Sequence, residues 1–156
     1  MTTILVLLLV FIIAIVFFAF LIVKSRGNSD KEIWPYYAKK PLSQPEQILY
    51  FRLTQALPDH IILAQVQLSQ LLGVKKGNNH QSWLNRINRM SADFVVCKKD
   101  STVVAVIELD DATHLQSKRQ AADAKKDKAL KAAEIKIIRW NVKAVPDSAT
   151  IQAALV

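Results

Sequence analysis

From Ile4 to Val23 the chain carries twenty consecutive apolar side chains, every one of them Ala, Val, Ile, Leu or Phe. An α-helix rises about 1.5 Å per residue, so about 20 such residues cross the hydrocarbon layer of a bilayer. A cleaved secretory leader wants a basic start, an apolar stretch of about 7–15 residues and a small-residue cleavage site. Nothing basic precedes this run, and Lys24-Ser25-Arg26 follows it. The expectation is a retained transmembrane anchor over residues 1–23. Lys24 and Arg26 lie on its carboxyl side, and basic flanks stay in the cytoplasm. The chain therefore reads as a single-pass protein of the inner (cytoplasmic) membrane, with its C-terminal domain in the cytoplasm.

Residues 24–40 mix charge with Gly27, Ser25, Ser29 and Pro35 and read as a linker. Trp34, Tyr36 and Tyr37 within it rest either at the membrane interface or on the following domain. Residues 41–156 have the length of one ordinary domain with a core of its own. All the charge lies outside the anchor, with a net of +8 and a pI near 9.7. Such a balance favours anionic partners, either nucleic acid or an acidic membrane surface. A single cysteine, Cys97, and three histidines exclude a disulfide partner and a structural zinc site.

Within the domain, Leu42-Ser43-Gln44-Pro45-Glu46 opens a helix, with Leu49, Leu53, Ala56 and Leu57 at helical spacing and Pro58 as its stop. His60–Val66 reads as a strand, Leu68–Leu72 as a short helical turn, and Ser82–Asn88 as a second short helix after a polar loop. Ala92–Cys97 and Thr102–Leu109 read as two strands of a hairpin closed by Lys98-Lys99-Asp100. Lys118–Ala133, rich in alanine and lysine, reads as a helix leading into a fourth strand, Ile135–Trp140.

The third strand ends in acids: Glu108, Asp110 and Asp111, then Thr113 and His114. Alternate strand residues share a face, so Glu108 and Asp110 point the same way, and the hairpin brings Asp93 beside them. Two carboxylates about 4 Å apart at an effective dielectric of 20 repel by roughly 4 kcal/mol. That cost demands a cation or a raised pKa. Mg²⁺, or Mn²⁺ in its place, meets the demand through carboxylates, water and phosphate oxygens. The plainer alternative is a wet strand end in which Asp110 and Asp111 shape a turn.

The order of these elements, with Asp93 on the second strand and Glu108 on the third, resembles the PD-(D/E)XK nuclease superfamily. The wording "DFVV…VIELDD..H" is closest to an uncharacterised bacterial branch, a domain of unknown function related to very-short-patch repair endonucleases. The likeness covers about Pro41 to Trp140. It implies a restriction-endonuclease-like α/β core (helix-strand-strand-strand-helix-strand, mixed sheet), with Asp93 and Glu108 as metal-binding acids and Asp110 assisting directly or through water. The superfamily pattern wants Glu-x-Lys where this chain has Glu108-Leu109-Asp110. In some branches that lysine sits on the following helix. At 100° per residue Arg119, Ala122, Lys126, Ala129, Leu130 and Ala133 share one face, which turns Lys126 toward the sheet.

Lys126 then either steadies a scissile phosphate or runs its stem out to water. His114 is a candidate general base or leaving-group acid, or else a hydrogen-bonded loop residue. Glu46 is either an acid lent by the first helix or half of a Ser43-x-x-Glu46 capping box. Lys75, Lys76, Arg86 and Arg89, with Arg119 and the aromatic Trp83, have the chemistry of phosphate contact and base stacking. The expectation is a membrane-anchored, divalent-metal-dependent nuclease acting on nucleic acid. Two rivals remain, a module that grips nucleic acid without cutting it and a membrane-tethered interaction protein. Oligomeric state is not encoded in any of these features.

Overall fold

A computed structural model describes residues 1–26, 33–110 and 117–155, and the chain divides into two units, Met1–Lys39 and Lys40–Val156. The first unit contains α1 (Thr2–Arg26). Its segment Thr2–Val23 has a mean hydropathy of 3.6. By length and composition it is long and apolar enough to span a membrane.

The second unit follows the order α2 (Gln44–Ala56), β1 (Ile61–Gln67), α3 (Leu68–Leu71), α4 (His80–Leu84), β2 (Ser91–Cys97), β3 (Val103–Asp110), α5 (Ser117–Ala132), β4 (Lys136–Asn141) and α6 (Ser148–Leu155). The strands form one mixed sheet in the order β1-β2-β3-β4. β1 pairs antiparallel with β2 and β2 with β3, whereas β3 and β4 run parallel. A parallel neighbour cannot be reached by a tight turn, and the crossover is α5. The β2–β3 hairpin closes with the Lys98 N–H donating to the Thr102 carbonyl at 2.8 Å, while Asp100 Oδ1 accepts the Thr102 N–H at 2.9 Å.

The central strands are covered on both faces, which is why "FVVC" and "VVAVI" read as unbroken apolar runs rather than alternating ones. Leu49 and Leu53 of α2 and Ile151 of α6 pack with Phe94, Val96 and Ile107 on one face. Leu130 of α5 and Leu68 of α3 pack with Val95 and Val106 on the other. α6 was not expected from the sequence. Asp147 Oδ1 accepts the Thr150 N–H at 2.9 Å to start it, and Arg52 of α2 donates to the Val145 and Pro146 carbonyls just before it. α4 begins two residues earlier than its spacing suggested and ends at Leu84, because Asn79 Oδ1 caps the Ser82 N–H at 2.9 Å.

Candidate functional site

The register that pairs Phe94 with Ile107 carries Asp93 opposite Glu108, and Glu108 in turn pairs with Arg139 of β4. Gln65 lies between Ala64 and Val66, which pair with Phe94 and Ala92, so it faces Asp93 from the other side. Four strands thus contribute one polar row: Gln65, Asp93, Glu108, Arg139. It crosses a sheet whose remaining central positions are apolar, and helix side chains complete it from above and below.

Glu108 is 4% exposed, the one charged residue that is buried among the described residues. Lys126 Nζ donates to its Oε2 at 2.7 Å, and that lysine side chain is itself only 12% exposed. The helical spacing that turned Lys126 inward is therefore met. The same face was expected to hold Ala122 and Ala133, and both are exposed, since α5 covers the strands only around Asp123 to Leu130. Glu108 Oε1 is buried and has no hydrogen-bond partner among the described residues. Burial pushes the Glu108 carboxyl up to about 6, against the pull of the Lys126 hydrogen bond and charge and with a further push from Asp93.

Asp93 Oδ2 accepts the backbone N–H of Leu109 at 2.8 Å, a bond that locks the acid to the neighbouring strand. Burial raises its pKa above the usual carboxylate range. The Leu109 N–H and Lys126 lower it, whereas Glu46 and Asp110 raise it. Glu46 is engaged twice over. Its Oε2 accepts the Ser43 N–H at 2.6 Å in the expected capping box, and its Oε1 accepts from Gln65 Nε2 at 2.7 Å. Gln65 holds this bond from a left-handed backbone, φ 53°, a conformation that costs a non-glycine residue about 1–2 kcal/mol. Sequence reasoning missed Gln65, because nothing in "ILAQVQ" marks a left-handed residue within a strand.

Asp110 turns outward to Arg139, whose Nη1 lies 3.1 Å from Asp110 Oδ2 and whose Nη2 lies 2.6 Å from Asp127 Oδ1. Asp127, one residue beyond Lys126 on α5, reaches across to β4. Among the described residues no group of three or more His, Cys, Asp or Glu side chains is arranged to hold a metal. The acids that face each other are Asp93 and Glu108, with Asp110 held beside them by its own cation. His114 lies outside the described residues, as does the side chain of Arg119.

The matched family, described as "Protein of unknown function (DUF2726)", spans residues 38–156. The chain belongs to the DUF2726 family. The DUF2726 region takes in the whole sheet, both covering layers and every member of the polar row, and leaves α1 outside. Comparison with curated proteins and with solved structures gives no match.

Away from the row, Lys75, Lys76, Arg86 and Arg89 are exposed, and among the described residues none of them forms an ion pair. The Arg86 guanidinium lies over the Trp83 ring at 4.1 Å from its centroid. Such a contact is worth about 0.5–1 kcal/mol at an exposed site. One face of the ring expected to stack on a base is thus already covered by the chain's own cation. Trp83 nonetheless remains 46% exposed.

The donor set suits a single hard divalent ion. Two carboxylates on adjacent strands, one with a buried oxygen lacking a partner among the described residues, match the one or two protein carboxylates by which Mg²⁺ is usually held, the rest of its shell being water and phosphate oxygens.

Proposed function

We propose that the DUF2726 domain is a restriction-endonuclease-like phosphodiesterase acting on nucleic acid, anchored by α1 in the inner membrane with its domain in the cytoplasm. The observation that carries this reading is the buried Glu108 Oε1 opposite Asp93, without a partner among the described residues, with the Lys126 ammonium on the other oxygen. A folded core seldom leaves a buried carboxylate oxygen unpaired without a use for it. Asp93 and Glu108 would hold Mg²⁺ or Mn²⁺, which supplies Lewis-acid stabilisation of charge on the phosphodiester.

The side chains have separable tasks. The Leu109 N–H fixes the Asp93 carboxylate, and Gln65 fixes Glu46 at the edge of the row. Lys126 replaces the lysine missing from the Glu108-Leu109-Asp110 strand: its ammonium reaches Glu108 from the covering helix, so it can orient a water or contact a phosphate oxygen in the same place. Arg139 holds Asp110 and Asp127 out of the way of the row. Lys75, Lys76, Arg86 and Arg89 would meet the backbone of the nucleic acid by charge rather than by sequence. His114 and Arg119 keep their proposed roles in proton transfer and phosphate contact.

A second reading has one observation in its favour. Lys126 already balances Glu108, so the pair is tolerable with no ion, as in a module that binds nucleic acid without cutting it. Cleavage of single- and double-stranded DNA and RNA by the full chain in detergent, with Mg²⁺, Mn²⁺ or EDTA, separates the two. Metal-dependent products that vanish in Glu108→Gln support the nuclease. Retention of nucleic acid with no product under any metal supports the binding module.

A further inference from the structure

Ile33, Trp34, Tyr36 and Tyr37 are 91%, 70%, 79% and 86% exposed, although they are the largest side chains of their segment. Residues 33–40 form neither helix nor strand, and Trp34 and Tyr36 touch edge to face with their centroids 5.7 Å apart. Both tyrosines and the tryptophan join an apolar ring to a polar tip, which suits the headgroup level of a bilayer. Lys39 and Lys40 follow at once, and no acid occurs from Ile33 to Pro45. Neither lysine forms an ion pair among the described residues.

From Val23 to Ile33 is ten residues, which reach at most about 35 Å when extended. The segment can therefore return to the bilayer that α1 crosses.

We propose that Ile33–Lys40 is a second membrane contact, with Trp34, Tyr36 and Tyr37 seated among the headgroups of an anionic leaflet and Lys39 and Lys40 held by its charge. This rests on the reading of α1 as a membrane span. The start of the DUF2726 domain is then held at the membrane surface, and the domain meets its substrate there rather than at the end of a free tether. Each lysine should favour the anionic surface by about fivefold in partition.

The test uses the full chain reconstituted into vesicles of phosphatidylcholine with or without phosphatidylglycerol, their acyl chains brominated near the headgroup. The Trp34 signal is the difference between wild type and Trp34→Phe. The expected result is quenching of that signal by the brominated lipid and protection from aqueous iodide, stronger with phosphatidylglycerol and weakened in Lys39→Gln/Lys40→Gln. A Trp34 signal open to iodide and untouched by bromine in both lipids overturns the proposal. So does a signal shielded from both quenchers, which would mean that protein covers the segment, either this chain or a second copy. Extraction in alkaline carbonate keeps the two readings apart. Release of the chain removes the membrane span itself, whereas an unextractable chain with iodide-accessible Trp34 removes only the second contact.

Discussion

Replacing Lys126 by Met keeps the length of the stem and removes the ammonium 2.7 Å from Glu108. Breaking a buried ion pair by deleting one partner generally costs about 3–5 kcal/mol. Here the cost has a ceiling, because Glu108 can escape by taking up a proton. Its folded pKa is about 6 against a reference of 4.5. A carboxyl raised on folding contributes stability that is complete below pH 4.5 and is lost as pH rises through 6. At about 1.36 kcal/mol per pKa unit, the ionised wild-type group already costs roughly 2 kcal/mol above that window.

In Lys126→Met the group stays protonated instead, so its extra cost relative to wild type is near zero below pH 6. Above that it grows by about 1.4 kcal/mol per pH unit, to about 2 kcal/mol at pH 7.5. Glu108→Gln follows a different course: it matches wild type near pH 4.5, and above pH 6 it sheds the desolvated carboxylate but leaves the Lys126 ammonium, itself 12% exposed, without its partner, so its gain at pH 7.5 stays well below about 2 kcal/mol. Relief of crowding among acids would give the same direction, but the larger cause is desolvation, with Asp93 a lesser contributor. The double variant Glu108→Gln/Lys126→Met leaves no buried charge at that position, so at pH 7.5 Glu108→Gln should raise stability more in the Lys126→Met background than in wild type, and the difference is the coupling of the pair. Urea unfolding of the full chain in detergent at pH 5.5, 6.5 and 7.5 measures all four proteins. A Lys126→Met loss of equal size at every pH would refute the linkage, and an effect of Glu108→Gln that is the same in both backgrounds would refute the pairing.

Wild type should gain stability from Mg²⁺ or Mn²⁺ by mass action, about 2.7 kcal/mol at a hundredfold excess over the dissociation constant. Asp93→Asn and Glu108→Gln should gain little, and a thermal melt that moves equally in all three would exclude an ion between those acids. Neutralising Lys75, Lys76, Arg86 and Arg89 together should flatten the dependence of log affinity for nucleic acid on log salt by about 0.7–0.9 for each phosphate that these cations neutralise; filter binding at several salt concentrations checks it, and an unchanged slope removes those residues from the interface. Gln65→Gly relieves a left-handed backbone worth about 1 kcal/mol and forfeits a hydrogen bond of similar worth. Its melting point should barely move while metal-dependent cleavage falls, and full activity would make Gln65 a residue of structure alone. A reporter fused after Val156 should be active only in the cytoplasm, and activity only on the far side would reverse the proposed orientation.

The parts of the site that could be read in advance are those built by local repeats. Two apolar runs with a turn between them make a hairpin, and a period of 100° turns Lys126 inward, so Asp93, Glu108 and Lys126 meet without knowledge of the rest. Asp110 illustrates what local pattern cannot give. Its partner Arg139 sits on β4, which reaches β3 only through the α5 crossover, and Asp127 joins from that same crossover. Nothing within four residues of Asp110 announces either interaction. The eight-residue α6 was missed for a different reason. Two turns carry too few apolar positions for a period, and its place is fixed by Ile151 entering a core that α2 and the sheet have already shaped.

Register connects the legible part to the rest. A slip of one residue between β2 and β3 would send every side chain of one strand to the opposite face. Phe94 and Val96 would then leave the core shared with Leu49 and Leu53, and Asp93 would be buried among them. The apolar pattern that stabilises the sheet therefore also holds Asp93 opposite Glu108. The candidate site borrows its precision from core residues that have no part in its chemistry.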